Sequence, residues 1–251
     1  MSPITGLSTA DYIPHHIAFQ YYASTSNPTH VRPTNVMSIG LQGDAANHEY
    51  DTHDWFDAIA AGNLPAVSYI KPPAYQDGHP GYSNPLDEQA FIVKVVNTLE
   101  QSPFWSSTAV IIAYDDSDGW YDHQMAPTVA NASYSSLDAL NGPSKCGKPG
   151  VTPQLPGPNS NGLPVNGRCG YGVRTPLLVI SSWAKANFVD HTLTDQTSVL
   201  RFIEDNWSLG KIGGGSFDAI ANPITNMLDF GHSAPPNATP VLLSPATGLV
   251  Q

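Results

Sequence analysis

Three short apolar runs punctuate the chain, each bounded by residues that break regular structure. Residues 64–70, 108–114 and 175–180 are apolar on both faces, as expected of strands buried within a sheet. Between and after them the apolar repeat lengthens to that of a helix, which predicts helices over 54–61, 85–101 and 195–207. Gly62 is placed to end the first. Asn84 can cap the second, with Pro85 in its first turn and Asp87 and Glu88 at its positive end. Phe91, Val95, Val96 and Leu99 line one face of that helix, and Val199, Leu200, Ile203 and Trp207 one face of the third. Helices alternating with buried strands predict an α/β layered domain.

Two regions carry no sustained period. Residues 124–170 form a long insertion, and loops of that length are functional or disordered more often than passive. The stretch 232–251 contains Pro235, Pro236, Pro240 and Pro245 and is expected to be an extended tail. Residues 1–231 are therefore taken as one domain and 232–251 as a Pro-rich tail.

Composition narrows the partners. At 251 residues, 41% of them hydrophobic, the chain can build a real core, while 23 Pro and 21 Gly leave much of it as loop. A formal charge of −11 argues against a nucleic-acid backbone or an anionic membrane as the main partner. No apolar run approaches the ~20 residues that span a bilayer, and the first residues lack the charged and apolar regions of a signal peptide. Cys146 and Cys169 both fall in the Pro/Gly-rich insertion. A disulfide between them would staple that loop, whereas two free thiols are the other reading. The pair leans towards an oxidising compartment, and the missing signal leans the other way.

The chemistry concentrates where the second apolar run ends, in Ala113-Tyr-Asp-Asp-Ser-Asp-Gly-Trp-Tyr-Asp-His123. Ligands of open α/β sheets bind at the carboxyl ends of strands, and two adjacent ionised carboxylates there call for a cation. Asp115 and Asp116 are hard oxygen donors suited to a divalent ion that polarises a phosphoryl oxygen. An Asp-rich turn accounts for the same residues equally well. His79, in Gln76-Asp-Gly-His-Pro80, could hydrogen-bond phosphate oxygens or protonate a leaving alcohol, although a loop His without a role is commoner. Pro14-His-His-Ile-Ala-Phe-Gln-Tyr-Tyr22 is a site wall or a half-buried strand with solvated imidazoles. The cluster His48, Glu49, Asp51, His53 and Asp54 fits a helix start better than a second metal site. No Gly-x-Ser-x-Gly elbow, P-loop or Cys-x-x-Cys pair occurs.

Taken together, these stretches resemble the bacterial phosphoesterase family that contains acid phosphatases and phosphatidylcholine-type phospholipases C. The likeness begins at Tyr12–Tyr22, runs through residues 64–70, Asp77-Gly-His-Pro80 and Ser102-Pro-Phe-Trp105, and takes in residues 114–123 and Arg174-Thr-Pro-Leu-Leu-Val-Ile180. It ends with Val189-Asp-His-Thr192 and residues 198–207. The resemblance implies an α/β/α sandwich with a mainly parallel central sheet, like that of alkaline phosphatase and incomplete at its N-terminal side. It implies that Asp115 and Asp116 are paired ligands of a divalent metal ion. It further implies that His79, with His16 or alternatively His15, contacts the phosphoryl group. Adjacent aspartates look closer to the acid phosphatase branch than to the phospholipase branch. The family is periplasmic or secreted, in agreement with a disulfide.

The family's Glu-Asn metal pair and Ser or Thr nucleophile lie upstream of the matched region, and this chain has no counterpart. The expectation is therefore the C-terminal portion of a catalytic domain, exposing a sheet edge through which copies could self-associate. Three functions follow. The first is a phosphomonoesterase. The second is a phospholipase C, with Trp120 and Tyr121 helping to hold a choline head group. The third is a truncated fragment that binds metal or a partner without turnover.

Overall fold

A computed structural model describes residues 2, 4–118, 122–124, 126–127, 146, 169–214 and 216–251. Among these, the architecture is mixed α/β, with three α-helices, one two-stranded sheet and several 3-10 turns. The chain divides into two compact units, one of residues 1–109 with 235–251 and one of residues 110–234. No helix of the described residues is long and apolar enough to cross a membrane.

The first unit is built on α1 (Thr52–Ala60) and α2 (Pro85–Glu100), which pack on each other. Helix α1 starts two residues before the predicted position because Asp51 caps it and Asp54 closes a capping box, accepting from the Asp51 N–H at 3.1 Å. It ends in a Schellman motif. Gly62, with φ of 76°, donates to Ile59, and Asn63 donates to the Ala58 carbonyl. Helix α2 follows its pattern closely: Asn84 Oδ1 accepts from Leu86 N–H at 2.9 Å, and Pro85 opens the first turn. Phe91, Val95, Val96 and Leu99 are all buried, with Trp55 and Ile59 of α1 and Trp105 in the same core. Burying each such side chain stabilises the unit by about 1.5–3 kcal/mol.

The tail is ordered against this unit. Asn97 on α2 donates to the Leu243 carbonyl and accepts from the Leu243 N–H, and buried Glu100 accepts from the Val241 N–H at 2.6 Å. Burial pushes the Glu100 carboxyl up, partly offset by that N–H. An antiparallel bridge between Leu243 and Val250 closes the tail on itself.

The run 64–70 is not a strand, which corrects the sequence expectation. Pro65 has no N–H to donate, no neighbouring strand offers it a ladder among the described residues, and Val67 and Tyr69 are exposed. The segment 14–22 likewise forms two 3-10 turns, Pro14–His16 and Ala18–Tyr21, rather than a strand.

In the second unit β1 (Ala109–Ala113), whose first residue belongs to the other unit, pairs with β2 (Leu177–Ser181). Both were expected to be buried on two faces, yet β1 is only half-buried and Leu178 is exposed. Among the described residues no further strand flanks the pair to cover it. Helix α3 (Thr197–Trp207) leaves its apolar face half-covered: Val199, Leu200 and Ile203 are half-buried and Trp207 is exposed. It packs on the turns Phe217–Ala219 and Ile224–Met227, where Ile224 is fully buried.

Cys146 is buried and disulfide-bonded to Cys169, as the stapled reading required. Residues 125, 128–145 and 147–168 of the insertion, together with Trp120 and Tyr121, lie outside the described residues.

Candidate active site

In the second unit the chain leaves β1 at Ala113 and turns through Tyr114, Asp115 and Asp116. Gln196, the residue before α3, donates from Nε2 to the backbone carbonyls of Tyr114 at 2.8 Å and Asp115 at 2.9 Å. This clamp fixes the backbone that carries the two carboxylates, and both side chains stay exposed. Asp116 Oδ1 also accepts from the Asp118 N–H at 2.6 Å, with Asp118 in the left-handed region at φ of 49°. One oxygen of Asp116 thus shapes the turn, as the turn reading expects, and that turn carries both exposed carboxylates.

Among the described residues, no third His, Cys, Asp or Glu atom joins Asp115 and Asp116 within 4.8 Å. Two exposed, adjacent carboxylates are nevertheless hard donors that fit a divalent cation, provided that other oxygens fill its coordination sphere.

Farther along the same segment, Arg174 grips Asp122 from two directions, Nε to Oδ2 at 2.6 Å and Nη2 to Oδ1 at 3.2 Å. This fork holds the Asp122 carboxyl below its usual range, helped by the Gln124 N–H. Exposed His123 lies 3.6 Å from the same carboxylate. Asp190 accepts from Thr192 and Asn226. Burial pushes its carboxyl up, but these donors and Lys185 outweigh burial and leave it low.

In the first unit His15 and His16 occupy the turn Pro14–His16, their rings edge-on at 4.7 Å. His15 is exposed, whereas the His16 side chain is only 14% exposed and its Nδ1 lies 3.7 Å from Asp77 Oδ2. The same oxygen accepts from the Tyr82 hydroxyl at 3.1 Å, and the Tyr82 ring stacks on His79 at 4.4 Å. The structure therefore brings His16 and His79 together around Asp77.

Tyr82 and Gln196 went unnoticed in the sequence, and Asp77 and Arg174 figured there only as parts of motifs. The signal available for Asp77 was the Asp-Gly turn pair before His79. Nothing local marked Tyr82 or Gln196, because their partners are set by tertiary structure.

The group Asp51, His53 and Asp54 also brings ligand atoms within 4.8 Å of one another. Asp54 is buried and already engaged, accepting from Arg32 and from the Asp51 N–H. A helix cap and an ion pair account for it.

Residues 5–210 match the sequence profile of the phosphoesterase family. A non-hemolytic phospholipase C of Pseudomonas aeruginosa is 30% identical over 185 residues, 72% of this chain and 25% of that protein. A non-hemolytic phospholipase C of Burkholderia pseudomallei is 35% identical over 175 residues, 68% of this chain and 22% of that protein. Phospholipase C A of Mycobacterium tuberculosis is 27% identical over 201 residues, 78% of this chain and 35% of that protein. The matched region thus spans only about a quarter to a third of these relatives. The match covers β1, the aspartates that follow it, and the histidine turns, so this chain belongs to the phosphoesterase family.

Proposed function

We propose that this chain carries the metal-holding and phosphate-orienting part of a hydrolase of phosphate esters. The observation that carries the reading is the clamp of Gln196 on the backbone of Tyr114 and Asp115, which presents paired carboxylates at a strand end within the family's matched region. Asp115 and Asp116 would hold a divalent ion, which when bound neutralises charge developing on the phosphoryl oxygens. His16 and His79, with His15 as the exposed neighbour, would orient the phosphate, and one of them would protonate the leaving oxygen. No residue of this chain is assigned the nucleophile. The reading takes the family's α/β/α sandwich as the fold in which these parts work, and an oxidising compartment as the place, in keeping with the Cys146–Cys169 bond.

Two substrate classes fit. Adjacent aspartates favour a phosphomonoesterase, whereas the phospholipase C relatives favour a phospholipase C acting on a phosphodiester. An aryl phosphate and phosphatidylcholine are offered to the chain with and without divalent ions. Turnover of either that is lost in chelator and restored by metal supports the reading, and the preferred substrate chooses between the classes. Hydrolysis indifferent to chelator would overturn the metal assignment.

A further inference from the structure

The geometry points to Asp77 as the positioning residue of the histidine pair: its carboxylate faces His16 directly and braces His79 through Tyr82. The inference rests on the proposed hydrolysis of phosphate esters and gives those two histidines a shared support. The Asp77 side chain is 2% exposed, so its charge acts on its neighbours with little screening. Oδ1 accepts from the His79 N–H at 2.9 Å. That contact alone is what a turn aspartate makes with the backbone two residues on. Oδ2 does something a turn does not require. It lies 3.7 Å from Nδ1 of His16, which comes from a distant turn, and accepts from the Tyr82 hydroxyl at 3.1 Å.

Each contact has a chemical consequence. A carboxylate beside Nδ1 favours the imidazolium form of His16 and a proton on the nitrogen that faces it. The other nitrogen can then donate to a phosphoryl oxygen or give its proton to a leaving alkoxide. Tyr82, tethered through its hydroxyl, lays its ring against His79 with planes 13° apart. His79 Nδ1 lies 2.7 Å from the Pro80 carbonyl, which only accepts, so the contact is a hydrogen bond in the tautomer that carries its proton on Nδ1. One buried carboxylate thereby faces the ring nitrogen of one histidine and tethers the ring that stacks on the other.

The test follows the His16 and His79 ring signals by NMR through a pH titration of the full chain, parent against Asp77→Asn and Tyr82→Phe. Asparagine keeps an oxygen for the His79 N–H and so preserves the turn. In Asp77→Asn, His16 is expected to titrate at lower pH than in the parent. In Tyr82→Phe the carboxylate loses a donor, so His16 is expected to titrate at higher pH, while the His79 ring signals move. Should Asp77→Asn fail to fold, the Tyr82→Phe titration decides. An unchanged His16 midpoint in the folded variant would overturn the inference. If the parent turns over an aryl phosphate, Asp77→Asn is expected to lower kcat on the order of tenfold or more, with KM changing less. If the parent turns over no ester, the ring titrations still decide the role of Asp77, and divalent-ion binding at Asp115 and Asp116 decides the proposed function separately.

Discussion

Replacing Asp54 by Ala separates the two chemistries its neighbourhood allows. Asp54 is 2% exposed and stands at the third position of α1, where it accepts from the Asp51 N–H and from Arg32. Losing a capping interaction costs about 1 kcal/mol. The Arg32 pair is half-screened, since the Arg32 side chain is 54% exposed, and it contributes about 1 kcal/mol at most. A freed Arg32 can turn to water, so no large penalty for a stranded charge is added. The sum is about 2 kcal/mol, or about 4–8 °C in Tm for a chain of this size. Urea unfolding of parent and Asp54→Ala, each with and without excess divalent ion, measures it. The cap account expects the same loss under both conditions. A parent stabilised by the ion, with that gain abolished in Asp54→Ala, would refute it and make Asp51, His53 and Asp54 a metal site.

Two further outcomes follow from the structure. Asp44 is buried, yet donors from Ser38, Thr34 and Ala46 overcome that burial and hold its carboxyl at about 2, below its ordinary 3.8. A depressed value means stability that is complete above about pH 4 and lost as pH falls towards 2, about 2 kcal/mol in all. Urea midpoints measured between pH 5 and 2 should therefore fall more steeply in the parent than in Asp44→Asn; parallel curves would contradict this. The Cys146–Cys169 bond closes a loop over a sequence separation of 23, so its reduction should cost about 3 kcal/mol. An unfolding midpoint indifferent to reductant would count against that magnitude.

What the sequence revealed was what neighbours in the chain decide. Helix α2 was legible to within a residue because Asn84, Pro85 and the spacing of Phe91, Val95, Val96 and Leu99 are local signals that agree. Strands β1 and β2 were found from their apolar runs, but their partial burial was not, since it depends on what flanks them. The run 64–70 failed for the same reason: an apolar period permits a strand, and only a partner makes one. The prolines of the tail announced an extended, irregular segment, but its anchoring by Asn97 and Glu100 on α2 was not legible, because those partners are more than 140 residues away in the chain. At the site, the adjacent aspartates and the histidines stood out by type. Gln196 and Tyr82, which hold them, did not, because a lone Gln or Tyr acquires meaning only when the fold brings it to a partner.

The central claim is that Asp115 and Asp116 hold a divalent ion, and calorimetric titration of the parent and of Asp115→Asn with such an ion tests it most directly. The account predicts binding to the parent that is weakened at least tenfold in the variant, with any phosphate-ester hydrolysis falling alongside. Equal binding and equal activity in the two proteins would contradict it.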